Sequence, residues 1–291
     1  MSTASSNSAP QVIHDIGRMQ HYCLKMRQAG KKIGFVPTMG YLHEGHLSLL
    51  REARRRSEIL ILSIFINPTQ FGANEDLDSY PRDLDRDLEL AASCETDLVF
   101  APLPQDVYPG GYATYVNVEG LTETLCGASR PDHFRGVTTV VNKLFNIVQP
   151  DSAYFGEKDF QQLAVIRRMV LDLNMPVEVI GLPIVREADG LAMSSRNVYL
   201  SPEQRQQALV LSRALNRART LAAGGELNGS VILKEISEMI EREPEARIDY
   251  LKICHRDSLR EQQNVDADSV LLLAVFIGNT RLIDNSFILQ G

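Results

Sequence analysis

Two textures of apolar and polar positions divide this chain. Up to about residue 184, short apolar runs alternate with stretches in which apolar residues return every three or four positions. Lys32–Val36 predicts a strand and Gly45–Arg56 a helix, with Leu47, Leu49, Leu50 and Ala53 on one side. The run ILILSIFI at Ile59–Ile66 is apolar at nearly every position, as expected of a parallel strand covered on both faces. Asp83–Ser93 predicts a helix, Asp97–Ala101 a buried strand, and Val137–Val148 a helix with Val137, Val140, Val141, Leu144 and Val148 on one side. Ala153–Phe155 predicts a short strand. Asp159 then caps a helix to Leu173, with Leu163, Ile166, Val170 and Leu173 inward, and Val177–Ile180 closes the series. Strand–helix alternation of this kind predicts an α/β protein built on a doubly wound parallel sheet.

Beyond Pro183 the order changes. Pro202–Ala223 predicts a long amphipathic helix, Gly224–Gly229 a flexible break, and Val231–Arg242 another helix. Strands follow at Ile248–Cys254 and Val270–Ile277, with a last short one near Phe287. Helices followed by strands predict a smaller C-terminal α+β domain. The division expected is a disordered tail at residues 1–11, a first domain at 12–184 and a second at 185–291.

Composition narrows the function. A chain of 291 residues that is 44% hydrophobic can bury a full core. Its net charge of −7 argues against nucleic acid or an anionic membrane as the main partner, though a local pocket can still oppose the global sign. The longest apolar run is too short to span a bilayer. Cys23, Cys94, Cys126 and Cys254 form no CxxC pair, which favours a reduced, cytoplasmic protein.

Candidate chemistry falls where parallel strands end, the side of an open sheet on which ligands bind. PTMGYLHEGH at 37–46 runs from strand through a turn into a helix, and free backbone N–H groups with the helix dipole favour anions there. His43 and His46 lie three apart and share a helix face, so both rings can reach one phosphate. They can also be read as helix caps. Zinc would need histidines four apart with a mid-helix glutamate, whereas Gly45 stands at this helix entrance. In INPTQFG at 66–72, Asn67 and Gln70 are neutral amides able to hold hydroxyls and carboxylates, or an Asn-Pro turn with a surface Gln. Tyr80 is a candidate pocket wall. Gly156, Glu157, Lys158 and Asp159 again join a strand end to a helix, with Gln162 one turn on. His133 and Arg135 could reach the same cleft. Met193, Ser194, Ser195 and Arg196 combine two hydroxyls with a guanidinium, a set suited to clasping phosphate.

Taken in order, these motifs resemble the pantothenate synthetase (pantoate–β-alanine ligase) family of the HxGH nucleotidyltransferase superfamily. The resemblance also covers YFGEKDFQQL at 154–163, GLAMSSRNVYL at 190–200 and TRLIDN at 280–285, and so spans about residues 12–290. It implies a Rossmann-like first domain, a lid-like second domain and a homodimer. The implied activity is condensation of (R)-pantoate with β-alanine, driven by ATP cleavage to AMP and pyrophosphate with Mg²⁺, in coenzyme A precursor biosynthesis. It further implies that Met39, Gly40, Tyr41, Leu42, His43, Glu44, Gly45 and His46 line the ATP site and that His46 donates a proton. Gly156–Asp159, Val185 and Met193–Arg196 would bind ATP, while Gln70 would hold pantoate and β-alanine and Gln162 pantoate. His43, Lys158 and Arg196 join His46 as catalytic candidates. Competing readings are another nucleotidyltransferase of the superfamily and a non-catalytic ATP-binding module.

Overall fold

The structure is a computed structural model describing residues 9–72 and 75–289; most of the expected N-terminal tail, residues 1–8, lies outside them. Two compact units divide it. One comprises Met1–Glu119, Arg130–Glu157 and Val165–Pro183, the other Gly120–Ser129, Lys158–Ala164 and Ile184–Gly291. The second therefore begins at Ile184, near the expected boundary, but it also takes in two earlier segments.

The first unit opens with β1 (Gln11–Ile13), one residue inside the expected tail because Gln11 pairs with Leu98, and with α1 (Ile16–Gln28). It continues through β2 (Ile33–Thr38), α2 (Glu44–Arg56), β3 (Ile59–Ile64), α3 (Leu84–Ser93), β4 (Leu98–Phe100) and the short α4 (Pro104–Val107). Between this unit's segments lies α5 (Cys126–Ser129), and after it come α6 (His133–Val148), β5 (Ser152–Gly156), α7 (Phe160–Asp172) and β6 (Glu178–Leu182). Six parallel strands form one sheet in the order β1-β4-β3-β2-β5-β6. The order reverses at β2, whose neighbours are β3 and β5. Such a switch point leaves a crevice at the carboxyl ends. Leu60, Ile61, Leu62 and Ser63 of β3 are fully buried, as a strand covered on both faces requires. Alternation splits the core. Val36, Leu60, Leu62, Val99 and Tyr154 join Leu47, Leu50 and Ala53 of α2, while Phe35 and Phe155 meet Phe145 of α6 edge-on at 6.4 and 6.5 Å.

The second unit holds α8 (Pro202–Ala208), α9 (Val210–Ala223), α10 (Gly229–Glu241), β7 (Ala246–His255), β8 (Ser269–Ile277) and β9 (Thr280–Phe287). Its sheet is antiparallel, ordered β7-β8-β9, and β9 is a full hairpin partner of β8 rather than a short terminal strand. The expected helix Pro202–Ala223 is interrupted at Leu209, whose backbone (φ −61°, ψ −15°) ends one helix and starts the next. The apolar side chains of α9 and α10 pack on this sheet, α10 against β7, with Leu211, Leu215, Ile232, Ile236, Leu271 and Leu273 all buried.

Two sequence expectations for α7 change. Asp159 lies in a 3₁₀ turn, Glu157–Asp159, ahead of the helix rather than acting as its cap, and Leu173 is exposed while Val165 and Met169 are buried. Leu163 and Ile166 are buried as expected and Val170 is half-buried, while Leu173 lies beyond the helix, which ends at Asp172.

Candidate functional site

At the carboxyl end of β2 the backbone turns through Gly40 and Tyr41, both left-handed at φ +86° and +50°. A Cβ at Gly40 would lie 3.0 Å from both Asp87 Oδ2 and Ile64 Cγ2, so glycine serves conformation and space together. The chain then enters α2 through a reciprocal cap. His43 Nδ1 accepts from the Gly45 N–H at 3.2 Å, and His46 Nδ1 accepts from the His43 N–H at 3.3 Å. This is the geometry of a capping box, with imidazoles in place of the usual hydroxyl and carboxamide. Capping and chemistry need not compete. A backbone N–H can only donate, so each Nδ1 carries a lone pair and each neutral ring carries its proton on Nε2. The two rings lie 4.1 Å apart, each with an Nε2–H donor at the positive end of a helix. That is the arrangement an incoming phosphate oxygen requires.

Asp87, on α3, holds the turn and was not legible as a site residue. Its carboxylate is buried and accepts from the Tyr41 and Leu42 N–H groups at 2.7 and 2.6 Å. Burial pushes its carboxyl above the ordinary aspartate range, and the Leu42 and Tyr41 N–H groups pull it back down.

The Asn67–Gln70 turn follows β3 as a single 3₁₀ turn. Gln70 is brought to the first loop, its Nε2 donating to Met39 Sδ at 3.3 Å while its Oε1 accepts from Asn67 at 3.1 Å. Asn67 is buried. Its Oδ1 accepts from Tyr108 Oη at 2.7 Å and its Nδ2 donates to the Gly136 carbonyl at 3.1 Å. Gly136 lets α6 approach closely, since a Cβ there would sit 2.4 Å from the Thr69 carbonyl oxygen. His133 Nδ1 donates to the Gln70 carbonyl at 2.8 Å, and its Nε2 accepts from Arg130 at 3.2 Å. Arg130 also pairs with Glu75 at 2.6 Å. Desolvation raises the Glu75 carboxyl, but the Arg130 hydrogen bond and charge outweigh it and leave Glu75 below the usual glutamate range. Tyr80 is buried edge-on against Phe71. Arg135 is turned elsewhere, exposed, with its guanidinium 3.8 Å from the Tyr115 ring centroid. His133 lies on the helical face toward the turn and Arg135, two residues on, does not. Sequence separation hid Asp87 and Tyr108, whereas Arg130 and Gly136 lie within the same short stretch as His133 and Arg135 and carried no signal of their own.

In the second unit, Lys158 follows β5 and Glu157 directly, and its carbonyl accepts from Asn285 of TRLIDN at 3.0 Å. Gln162 is half-buried. Its neighbour Gln161 is the one locked in place, donating to the Leu121 and Thr124 carbonyls at 2.8 Å and accepting from the Cys126 N–H at 3.0 Å. The Met193–Arg196 loop is built on a narrow hairpin in which the Met193 N–H donates to the Val185 carbonyl at 3.0 Å. Arg186 anchors that hairpin to buried Asp284 through two hydrogen bonds of 2.7 and 2.9 Å. Ser194 Oγ accepts from the Arg196 N–H at 3.3 Å, capping a 3₁₀ turn over Ser195–Tyr199. Asn197 ties the turn back to Glu187 at 2.6 Å and to the Ala192 carbonyl at 3.1 Å.

A six-stranded parallel sheet whose switch-point strand leads into a helix capped reciprocally by two histidines defines a Rossmann-like α/β protein. The sequence profile described as pantoate-beta-alanine ligase matches residues 11–287, and the chain belongs to that family. It is 64% identical to the pantothenate synthetase of Syntrophotalea carbinolica over 279 residues, covering 96% of this chain and 99% of that one. The Moorella thermoacetica pantothenate synthetase is 59% identical over 94% of this chain and 97% of its own. Among solved structures, pantothenate synthetase from Thermus thermophilus superposes with a TM-score of 0.92 at 48% identity, covering 96% of this chain and all of that one. Pantoate-beta-alanine ligase from Francisella tularensis, complexed with beta-gamma ATP and beta-alanine, gives 0.81 at 33% identity, covering 97% and 99%.

Proposed function

We propose that this chain condenses pantoate with β-alanine while cleaving ATP to AMP and pyrophosphate, by way of pantoyl adenylate. The observation that carries the reading is the reciprocal histidine cap, which presents two Nε2–H donors at the carboxyl end of β2. A pantoate carboxylate oxygen bonds to the α-phosphorus as the bond to pyrophosphate breaks, and the leaving oxygen takes the electron pair. β-Alanine's amine then bonds to the acyl carbon, loses a proton and expels AMP. Charge accumulates on the phosphates in the first step, where His43 and His46 disperse it, each donating a hydrogen bond from its Nε2–H. Lys158, Ser194, Ser195 and Arg196 are further groups suited to dispersing that charge, and Met39–His46, Gly156–Asp159 and Val185 bind the nucleotide. Gln70 holds pantoate and β-alanine, and Gln162 pantoate.

Mg²⁺ would supply further neutralisation of phosphate charge. Among the described residues no three His, Cys, Asp or Glu are grouped as a metal site. Mg²⁺ takes oxygen ligands largely from phosphates and water, so it needs few from the protein. The protein works as a cytoplasmic homodimer; no helix among the described residues is long and apolar enough to cross a membrane.

The test is AMP and pyrophosphate release with each substrate omitted in turn. A ligase releases AMP only with ATP, pantoate and β-alanine together. Turnover without the amine would indicate an adenylyltransferase, and none under any condition a binding module.

A further inference from the structure

Asp87 belongs to α3 and touches none of the motifs that carry the resemblance except through backbone. Both of its carboxylate oxygens are committed to consecutive N–H groups, those of Tyr41 and Leu42. The segment it holds is the two-residue left-handed turn at Gly40 and Tyr41, a conformation that a tyrosine adopts only under constraint. A cavity of about 530 Å³, bordered by Met39, Gly40, Tyr41, Ile64, Leu84 and Asp87, adjoins the turn. The peptide fixed at Leu42 immediately precedes His43, whose extended backbone (φ −140°, ψ 175°) begins the cap and thereby sets both rings.

We propose that Asp87 is the positioning residue of this loop, its carboxylate fixing the direction from which His43 and His46 address the triphosphate. The inference deepens the function proposed above and rests on it. Acting through the backbone, Asp87 contacts no substrate. Its role needs two acceptors, one for each N–H. An asparagine offers one oxygen and turns an NH₂ toward the other N–H, so Asp87→Asn keeps the volume and breaks half the clamp.

The experiment measures single-turnover pyrophosphate release from ATP and pantoate, the KM for β-alanine, and the ring ¹⁵N signals of the two histidines. In D87N the burst slows 10- to 100-fold, on the order expected for a displacement near 1 Å. The β-alanine KM stays within about threefold, and the His43 and His46 ring signals move while the protein keeps a cooperative thermal transition. A folded D87N with the wild-type burst and unmoved ring signals overturns the proposal. So does a burst reduced only in proportion to the fraction folded. If D87N does not fold, Gly40→Ala disturbs the same contact from the loop side, and a folded G40A with the wild-type burst overturns it equally. Wild-type protein that releases no pyrophosphate would instead defeat the functional reading, and the ring signals of D87N would still report whether Asp87 sets the loop.

Discussion

Replacing Gly136 with alanine tests whether the Asn67–Gln70 turn is held in place by close approach to α6. The added Cβ would lie 2.4 Å from the Thr69 oxygen, 2.6 Å from its carbonyl carbon and 2.7 Å from the Gln70 nitrogen. These are backbone atoms and cannot rotate away. Ordinary contact begins near 3.4 Å, so the turn or the helix must retreat by about 1 Å (3.4 − 2.4). Overpacking of this kind costs about 1–3 kcal/mol, and alanine's better helix propensity returns about 1 kcal/mol. The net loss of roughly 0–2 kcal/mol lowers Tm by a few degrees, at about 2–4 °C per kcal/mol for a large domain. Function should suffer more than stability. The retreat strains the Asn67 bond to the Gly136 carbonyl and carries Gln70 with it. A 1 Å misplacement is worth on the order of 10²-fold, or about 2.7 kcal/mol of transition-state stabilisation. Steady-state kinetics should show that loss in kcat/KM for pantoate, with the ATP KM changed less than about threefold. A folded G136A with wild-type pantoate kinetics would refute the argument, as would equal rises in both KM values.

His46→Gln separates capping from chemistry, because glutamine at the third helical position can close the same box. It should keep wild-type Tm yet slow adenylate formation about 10²–10³-fold, the loss typical of one oxyanion donor; rapid pyrophosphate release would remove the imidazole from the mechanism. For Glu75, the folded carboxyl lies below its unfolded value of about 4.3, so its stabilisation is present above that pH and disappears as pH falls through the folded value. The Tm gap between wild type and Glu75→Gln should therefore be largest near neutrality and close between about pH 5 and 3, and a gap independent of pH contradicts the pairing with Arg130. Burial pushes Cys23 up to about 12 and Cys254 to about 11. A disulfide reagent at pH 8 should leave both unlabelled in native protein and modify them after denaturation, and peptide mapping that finds native Cys23 labelled within minutes would count against that burial.

The sheet was legible because its strands are extreme. β3 is apolar on both faces, and no helix or edge strand of a water-exposed protein reads that way. α1 went unread because only Met19 and Cys23 are buried along thirteen residues, too sparse a stripe to stand out. The break at Leu209 was invisible for the opposite reason, the apolar periodicity running unbroken across it. In the site, polar residues of the strand-end motifs were found, while Asp87 and Tyr108, adjacent to them only in space, were not. Asp87 lies more than forty positions from the turn it clamps, and nothing in its neighbourhood distinguishes it from Asp83 or Asp85. The histidine pair shows a subtler limit. Its spacing revealed a shared face, but that each ring caps the helix by one nitrogen and so carries its proton on the other emerges only from the hydrogen bonds.

The smaller unit borrows Gly120–Ser129 and Lys158–Ala164 from the middle of the chain. Leu125, Phe160 and Ala164 from those borrowed pieces complete an apolar cluster with Cys254, Leu259, Val270 and Leu272. A fragment cut at residue 184 would therefore leave one side of its own sheet greasy and unroofed, prone to stick to other copies. Engineers who wish to graft or swap this lobe between relatives must transplant three stretches of polypeptide, not one.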